Sequence, residues 1–233
     1  MLLGTMTGLV LAVAAFVGGH FLFAGTPLRK AVADMVGGEA RFRLVFSLYS
    51  AVTLIWTVLA YRSAPFQPLW ADLKLLRAIP VLVLPFACIL LVAGLSTPNS
   101  TAVGGERAAE LPDPVPGIMR VTRHPFLWGV ALWALGHLAA NGDLAGALLF
   151  GGLAVLALGG MPSIDAKAQR RMGAAWGPIA MGSSALPFAA ILSGRAKFDF
   201  AGIGWARVAG GIALYVALLL AHPWIAGKPA FPY

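Results

Sequence analysis

Four histidines carry the side chains best suited to chemistry in this chain: His20, His124, His137 and His222. His20 stands in Gly18-Gly19-His20-Phe21 within a long apolar run, and His137 in Trp133-Ala-Leu-Gly-His137 within another. Neither has a charged residue within several positions. An ionisable side chain in such a run is costly to place in lipid, which makes it a functional candidate by default. His124 opens the second of these runs in Arg120-Val-Thr-Arg123-His124-Pro125, and His222 precedes Pro223 near the end of the last run. The single cysteine, Cys88, excludes a disulfide framework or a paired-cysteine metal site and reads as a buried packing residue.

The elements that position these histidines follow from composition. Of 233 residues, 59% are hydrophobic and 11% are charged, against roughly a quarter charged in soluble domains. The net charge of +8 comes from basic residues set between apolar runs. That pattern fits an anionic bilayer surface as the partner and not nucleic acid. A crossing helix needs about 20 mainly apolar residues. Six stretches qualify: Met1–Phe23, Phe42–Tyr61, Ile79–Leu95, Pro125–Ala140, Leu144–Met161 and Val208–Ile225. The first has no Lys or Arg before Arg29, so it reads as a retained helix and not a signal peptide. Pro80 and Pro85 imply a kink in the third. The tight turn Asn141-Gly142-Asp143 makes the fourth and fifth an antiparallel hairpin.

Two longer segments remain. Pro98–Arg123, with Pro112, Pro114 and Pro116, reads as a loop. Ser163–Trp205 begins with the basic stretch Asp165–Arg171, followed by Ala-Trp-Gly-Pro and an apolar piece, Leu186–Leu192, that is too short to span and is broken by Pro187. It reads as an interfacial helix plus a re-entrant or surface-lying segment; a spanning pair there would raise the count to eight. The fold class is thus all-α: one domain over residues 1–233, a polytopic bundle of about six transmembrane helices with no separate soluble domain. Thirteen of the 17 Lys and Arg residues lie in the loops after the first, third and fifth spans. That bias places those loops in the cytoplasm and both termini away from it. Gly4, Gly8, Gly129, Gly136, Gly151, Gly152, Gly159 and Gly160 allow close helix packing or leave room for a flat or long apolar ligand.

Depth singles out two histidines. His20 precedes Arg29 by nine residues, about 13 Å at the helical rise, and His137 follows Arg123 by 14, about 21 Å. Imidazoles at those depths can serve one iron if its ring plane is tilted. His124 and His137, about 20 Å apart along one helix and about 220° apart around it, cannot share a metal. Ligand type alone leaves the metal open. The neighbours of His137 (Phe126, Val130, Trp133, Ala134) and of His20 (Phe16, Val17, Phe23, Ala24) supply the flat apolar walls and small residues that a haem needs. A histidine merely hydrogen-bonded to a neighbouring helix's carbonyl remains the competing reading at this point.

The string Gly117-Ile-Met-Arg120-Val-Thr-Arg123-His124-Pro125, followed by Trp133, His137 and Asn141-Gly142-Asp143, resembles the NnrU family, as does His20-Phe-Leu-Phe-Ala-Gly-Thr-Pro-Leu-Arg29. The resemblance runs over nearly the whole chain. The family includes bacterial membrane proteins associated with nitrite and nitric oxide reductase expression, and 15-cis-zeta-carotene isomerases, which are haem b enzymes. It implies a multi-pass protein of the bacterial inner membrane, linked to denitrification, binding haem b. It places His20 and His137 on the metal-ligand positions and His124 on the motif histidine. Arg120 and Arg123 then become candidate partners for haem propionates. The alternative implied is an isomerase acting on an apolar polyene. Two departures bear on that alternative: Ala134 stands where the isomerases carry a cysteine, which excludes a thiolate ligand switch, and Phe126 stands where they carry a polar residue. A second resemblance joins Arg123-His-Pro-Phe-Leu-Trp-Gly129 to membrane methyltransferases that use S-adenosylmethionine. There Trp128 takes the place of a tyrosine, and Ile164–Met172 holds one Asp and no Glu pair.

Overall fold

The computed structural model describes residues 3–71, 73–102 and 105–231; Met1, where the first span was expected to begin, lies outside them. The described residues are helical, with one isolated bridge between Pro68 and Asp143 and no strand. Helix α1 (Met6–Val13) is capped by the Thr5 hydroxyl and runs on through two π-helical turns, Ala14–Gly18 and His20–Ala24. There follow α2 (Leu28–Met35), α3 (Glu39–Ser63), α4 (Lys74–Ser96), the short α5 (Ile118–Val121), α6 (Pro125–Asn141) and α7 (Leu144–Met172). Three short helices, α8 (Trp176–Gly182), α9 (Ala189–Leu192) and α10 (Phe200–Ile203), precede the last long one, α11 (Trp205–Ala226).

Five stretches are long and apolar enough to cross a membrane: Met6–Phe23, Glu39–Ser63, Lys74–Ser96, Leu144–Gly182 and Trp205–Ala226. Helix α6, at 17 residues, stands at the lower limit for a crossing and completes the six-helix bundle, packed between α4 and α7. Large apolar side chains such as Leu48, Val52 and Ile55 on α3 and Leu82 and Phe86 on α4 point outward. Water would penalise so broad an apolar surface, whereas lipid accepts it.

Because lipid tails are as apolar as the side chains, close backbone approach must hold the helices together. A Cβ at Gly129 on α6 would sit 2.9 Å from the Ala87 carbonyl of α4, and one at Gly211 on α11 would sit 2.5 Å from Ile89 Cα of α4. Gly152 and Gly159 of α7 likewise face α1, against Val13 and Phe21. Gly211→Val therefore forces α11 off α4 and is expected to lower stability by about 1–3 kcal/mol. A thermal melt in detergent checks this, and an unchanged midpoint would contradict it.

The two ends of the bundle differ. At one, Gly142 adopts the left-handed conformation (φ 65°) that ends α6, and the Asp143 carboxylate accepts from Gly146 N to start α7. This is the expected hairpin. The α3–α4 connection clips onto it through Leu69 N to Gly142 O (2.8 Å) and Leu144 N to Gln67 O (2.9 Å). Gly4 N donates to Ser63 Oγ there, so α1 begins at this hairpin end.

The other end carries a cap, and here the structure departs from expectation. Helix α7 does not stop at Met161; it continues through Pro162 to Met172, so Asp165–Arg171 forms its last turns and not a separate interfacial helix. A proline within a membrane helix is tolerated because neighbours satisfy the freed carbonyl. Residues 173–204 then fold back over the loop between α4 and α6. Val115, Ile118, Met119, Val121, Trp176 and Ile179 form a small buried core between them. Phe188 N donates to Val121 O (2.8 Å). The expected loop at Pro98–Arg123 contains a 3-10 turn, Glu106–Glu110, as well as α5. Met181, Leu186, Phe188 and Leu192 remain exposed on the cap, in keeping with a surface-lying segment.

Candidate functional site

His137 lies one turn before the hairpin end of α6. Its Nδ1 donates to Trp133 O at 2.8 Å, the i−4 carbonyl that its own helix leaves within reach. Trp133 and Phe150 flank the ring, at centroid distances of 5.0 and 5.2 Å. On another side stands His222 of α11, with centroids 6.4 Å apart and planes inclined by 23°. His222 is anchored in the same way, Nδ1 donating to Lys228 O at 2.7 Å. Each ring is thereby fixed in the tautomer that leaves Nε2 with a lone pair and no proton.

His20 occupies a different environment. Its Nδ1 donates to Phe16 O at 2.6 Å, and its ring meets Phe16 and Phe46 at 4.6 and 5.1 Å. Ser50 Oγ donates its single proton to Phe46 O at 2.7 Å, so its 3.4 Å approach to His20 Nε2 is a weak contact. The contacts along α7 give the relative levels. Phe21, next to His20, packs at Gly159, whereas His137 stacks on Phe150. Nine residues of α7 between those levels amount to about 13 Å. His20 thus has Phe16 and Phe46 as ring neighbours and His137 has Trp133, Phe150 and His222, with no ring contact recorded between the two among the described residues.

The Arg-His-Pro corner lies at the cap end. The Asp165 carboxylate of α7 accepts from Arg123 Nε at 2.9 Å, from its terminal guanidinium nitrogen at 2.5 Å, and from His124 Nε2 at 2.8 Å. His124 is 3% exposed, and the Arg123 guanidinium also lies over the Trp176 ring, 5.5 Å from its centroid. Arg123 N donates to Ser184 O, while Thr122 Oγ1 and Trp128 Nε1 both donate to Ala185 O. The corner is a clamp joining α6, α7 and the cap. Arg120 bonds Asp113 and Val115 O in the same region. Arg123 is therefore about 21 Å along α6 from His137, and neither arginine is placed to meet a group bound there.

Sequence reasoning missed Asp165, Phe150 and the partnership of His222. For His222 a signal existed. His137, about 21 Å from one face of a core about 30 Å thick, is about 9 Å from the other, and six residues separate His222 from Lys228, also about 9 Å.

Two hollows accompany these clusters. A groove of about 470 Å³ between α6 and α7 is lined by Leu135, Leu138, Gly151, Ala154, Val155 and Leu158. It is apolar throughout and adjoins His137 in sequence on α6 and Phe150 on α7. A second hollow of about 490 Å³ under the cap is edged by Arg123, Asp165, Gln169, Trp176 and Arg195. Among the described residues no group of three His, Cys, Asp or Glu gathers as a metal cage would require. Two imidazoles cannot build a four-ligand zinc site. A porphyrin brings its own equatorial nitrogens and asks the protein only for axial ligands and apolar walls. The Nδ1-anchored imidazole of His137, walled by Trp133 and Phe150, matches that requirement.

The comparisons bear on identity. The chain is 32% identical to the chloroplastic 15-cis-zeta-carotene isomerase of Arabidopsis thaliana over 117 residues, 48% of this chain and 31% of that protein. It is 37% identical to the chloroplastic 15-cis-zeta-carotene isomerase of Zea mays over 81 residues, 35% of this chain and 22% of that one. The chain thus aligns with less than a third of either relative's length. No solved structure matches it. The family described as NnrU protein matches residues 8–230, nearly the whole sequence from α1 to beyond α11, and the chain belongs to the NnrU family.

Proposed function

We propose that this NnrU-family chain is a haem b-binding membrane protein, with His137 as a protein ligand to the iron, that isomerises a double bond in a long apolar polyene. The observation that carries the reading is the state of His137: Nδ1 held by Trp133 O, Nε2 without a hydrogen-bond partner among the described residues, and aromatic walls on two sides. The names of the two plant relatives give the reaction class.

When bound, haem supplies a redox-active centre that can lower the double-bond order of a conjugated chain held beside it. The protein's part is to position. The Trp133 carbonyl fixes the tautomer and orientation of His137, and Phe150 braces the ring face. The groove between α6 and α7 opens to lipid, where an apolar chain would already be dissolved, and its walls offer contact without directional bonds. The cap side, where the basic loops meet, is taken as cytoplasmic, with the hairpin end facing away.

Gly151 tests the groove. A Cβ there meets nothing within 4 Å, so Gly151→Leu leaves the bundle intact while filling the groove. Conversion of substrate is expected to fall at least tenfold, roughly what extra methylenes in a pocket cost, with haem content unchanged. The direct experiment is expression in a host that accumulates zeta-carotene, with the isomers separated by chromatography. Conversion that depends on His137 supports the reading. A haem-containing protein that converts nothing overturns the isomerase part and leaves the role in nitrogen-oxide metabolism that the sequence resemblance implies.

A further inference from the structure

We infer that the hollow under the cap is a binding site for a phosphate group, and that a phospholipid headgroup at the membrane surface is what brings the phosphate there. The hollow measures about 490 Å³ and is edged by Arg123, Gln169, Trp176, Ser183, Ser184 and Arg195, a size ordinary for small-molecule sites, which run to roughly 300–1,000 Å³. What marks it is an excess of hydrogen-bond donors over free acceptors. The N–H groups of Ser183, Ser184 and Ala185 have no acceptor among the described residues, although Ser183 and Ser184 are buried. The carbonyls of the same three residues are all taken: Ser183 O by Arg195, Ser184 O by Arg123 N, and Ala185 O by Thr122 and Trp128. The indole N–H of Trp176, a residue 8% exposed, likewise has no acceptor among the described residues. A buried N–H left alone costs free energy, so a run of them calls for an oxygen-rich partner.

The charges agree. Asp165 is the one carboxylate lining the hollow among the described residues, and it is already served by two Arg123 nitrogens and His124 Nε2. Arg195 has no carboxylate partner there. Its Nε donates to Ser193 Oγ, and one terminal nitrogen is shared among Ala180 O, Met181 O and Ser183 O. Those backbone bonds fix the guanidinium in place and leave its other terminal nitrogen without a partner among the described residues. A fixed guanidinium with a spare edge suits the oxygens of a phosphate, as a flexible point charge does not. The lipid source follows from the rim. Leu186 and Ala189 line the hollow, and Met181, Phe188 and Leu192 stand exposed close to them in the chain. Basic groups beside exposed apolar side chains match the membrane interface, where phosphates lie above acyl chains.

The test uses the full chain, delipidated in a phosphate-free detergent and titrated with phosphatidylglycerol, diacylglycerol, glycerol 3-phosphate or inorganic phosphate, with bound molecules counted by native mass spectrometry. Phosphatidylglycerol should bind saturably and diacylglycerol, which lacks the phosphate, should not. The exposed Gln169 side chain makes no hydrogen bond among the described residues, so Gln169→Glu adds a negative charge to the hollow without disturbing the cap. It is expected to weaken phosphatidylglycerol binding at least about tenfold at an unchanged melting temperature, and Gln169→Lys should strengthen it. Arg195→Gln should weaken it as well. Glycerol 3-phosphate or inorganic phosphate bound as tightly as the lipid supports the phosphate site and overturns the lipid as its source. Diacylglycerol bound as tightly as phosphatidylglycerol, an affinity unmoved by Gln169→Glu, or no binding of any phosphate probe overturns the site.

Discussion

Asp165→Ala is expected to be the most destabilising single substitution at the cap end of the bundle, lowering stability by about 3–5 kcal/mol. The reason is what it leaves behind. The Arg123 guanidinium and the His124 ring, with side chains 14% and 2% exposed, both direct N–H groups at the Asp165 carboxylate. Removing the carboxylate strands a ring donor shut away from water and a cation that water reaches only from the hollow beside it. The loss also spreads. Arg123 N holds Ser184 O, and Trp128 and Thr122 hold Ala185 O, so the cap's seat on α6 depends on the same corner. Asp165→Asn retains an acceptor for one of the three donors and should fall between the two. A thermal melt in detergent reads the effect, and protease cleavage within residues 183–199 should accelerate in step. An Asp165→Ala variant melting within a few degrees of wild type would show that the corner does not clamp the cap.

His137→Ala is expected to have the largest effect on function: loss of most bound haem and of conversion by at least about a hundredfold, the scale on which metal affinity or activity falls when a ligand or its orienting partner is removed. It should barely alter folding. The ring is half-buried at the hairpin end, its one hydrogen bond is to its own helix, and Trp133 and Phe150 keep their mutual contact at 5.3 Å without it. Asn141 donates to the His137 backbone carbonyl, a bond the substitution does not touch. Loss of haem from a chain that melts at the wild-type temperature separates this outcome from unfolding.

The bundle was legible in the sequence because lipid imposes a simple rule: a span shows as an unbroken apolar run. The hairpin was legible for the same reason, since Asn141-Gly142-Asp143 interrupts two such runs with a left-handed cap and a helix start. The cap was not. Asp165–Arg171 reads as surface charge, and nothing in one sequence shows that Asp165 faces inward to Arg123 and His124 from 42 and 41 residues away. The fifth apolar run likewise ends at Met161, whereas its helix continues through Pro162 to Met172.

The candidate site was half legible. His137 stood out because an imidazole among Trp, Leu and Gly has no solvent to share its cost. The neighbouring His222 ring did not, because counting from charges sets depth only where helices are regular. The two π-helical turns between Ala14 and Ala24 alter both rise and phase around His20, whereas α11 and α6 are regular as far as His222 and His137. Arg120 and Arg123, candidate partners for a cofactor's propionates, are engaged at the cap end of α6, Arg120 by Asp113 and Val115 O and Arg123 by Asp165.

The measurement that tests the central claim most directly is the haem content of the purified chain, by the reduced pyridine haemochrome, for wild type and His137→Ala side by side. The account predicts close to one haem b per wild-type chain and almost none in the variant, at equal melting temperature. A wild-type chain purified without haem from haem-replete cells, or a variant that retains the full amount with an unchanged spectrum, would contradict it.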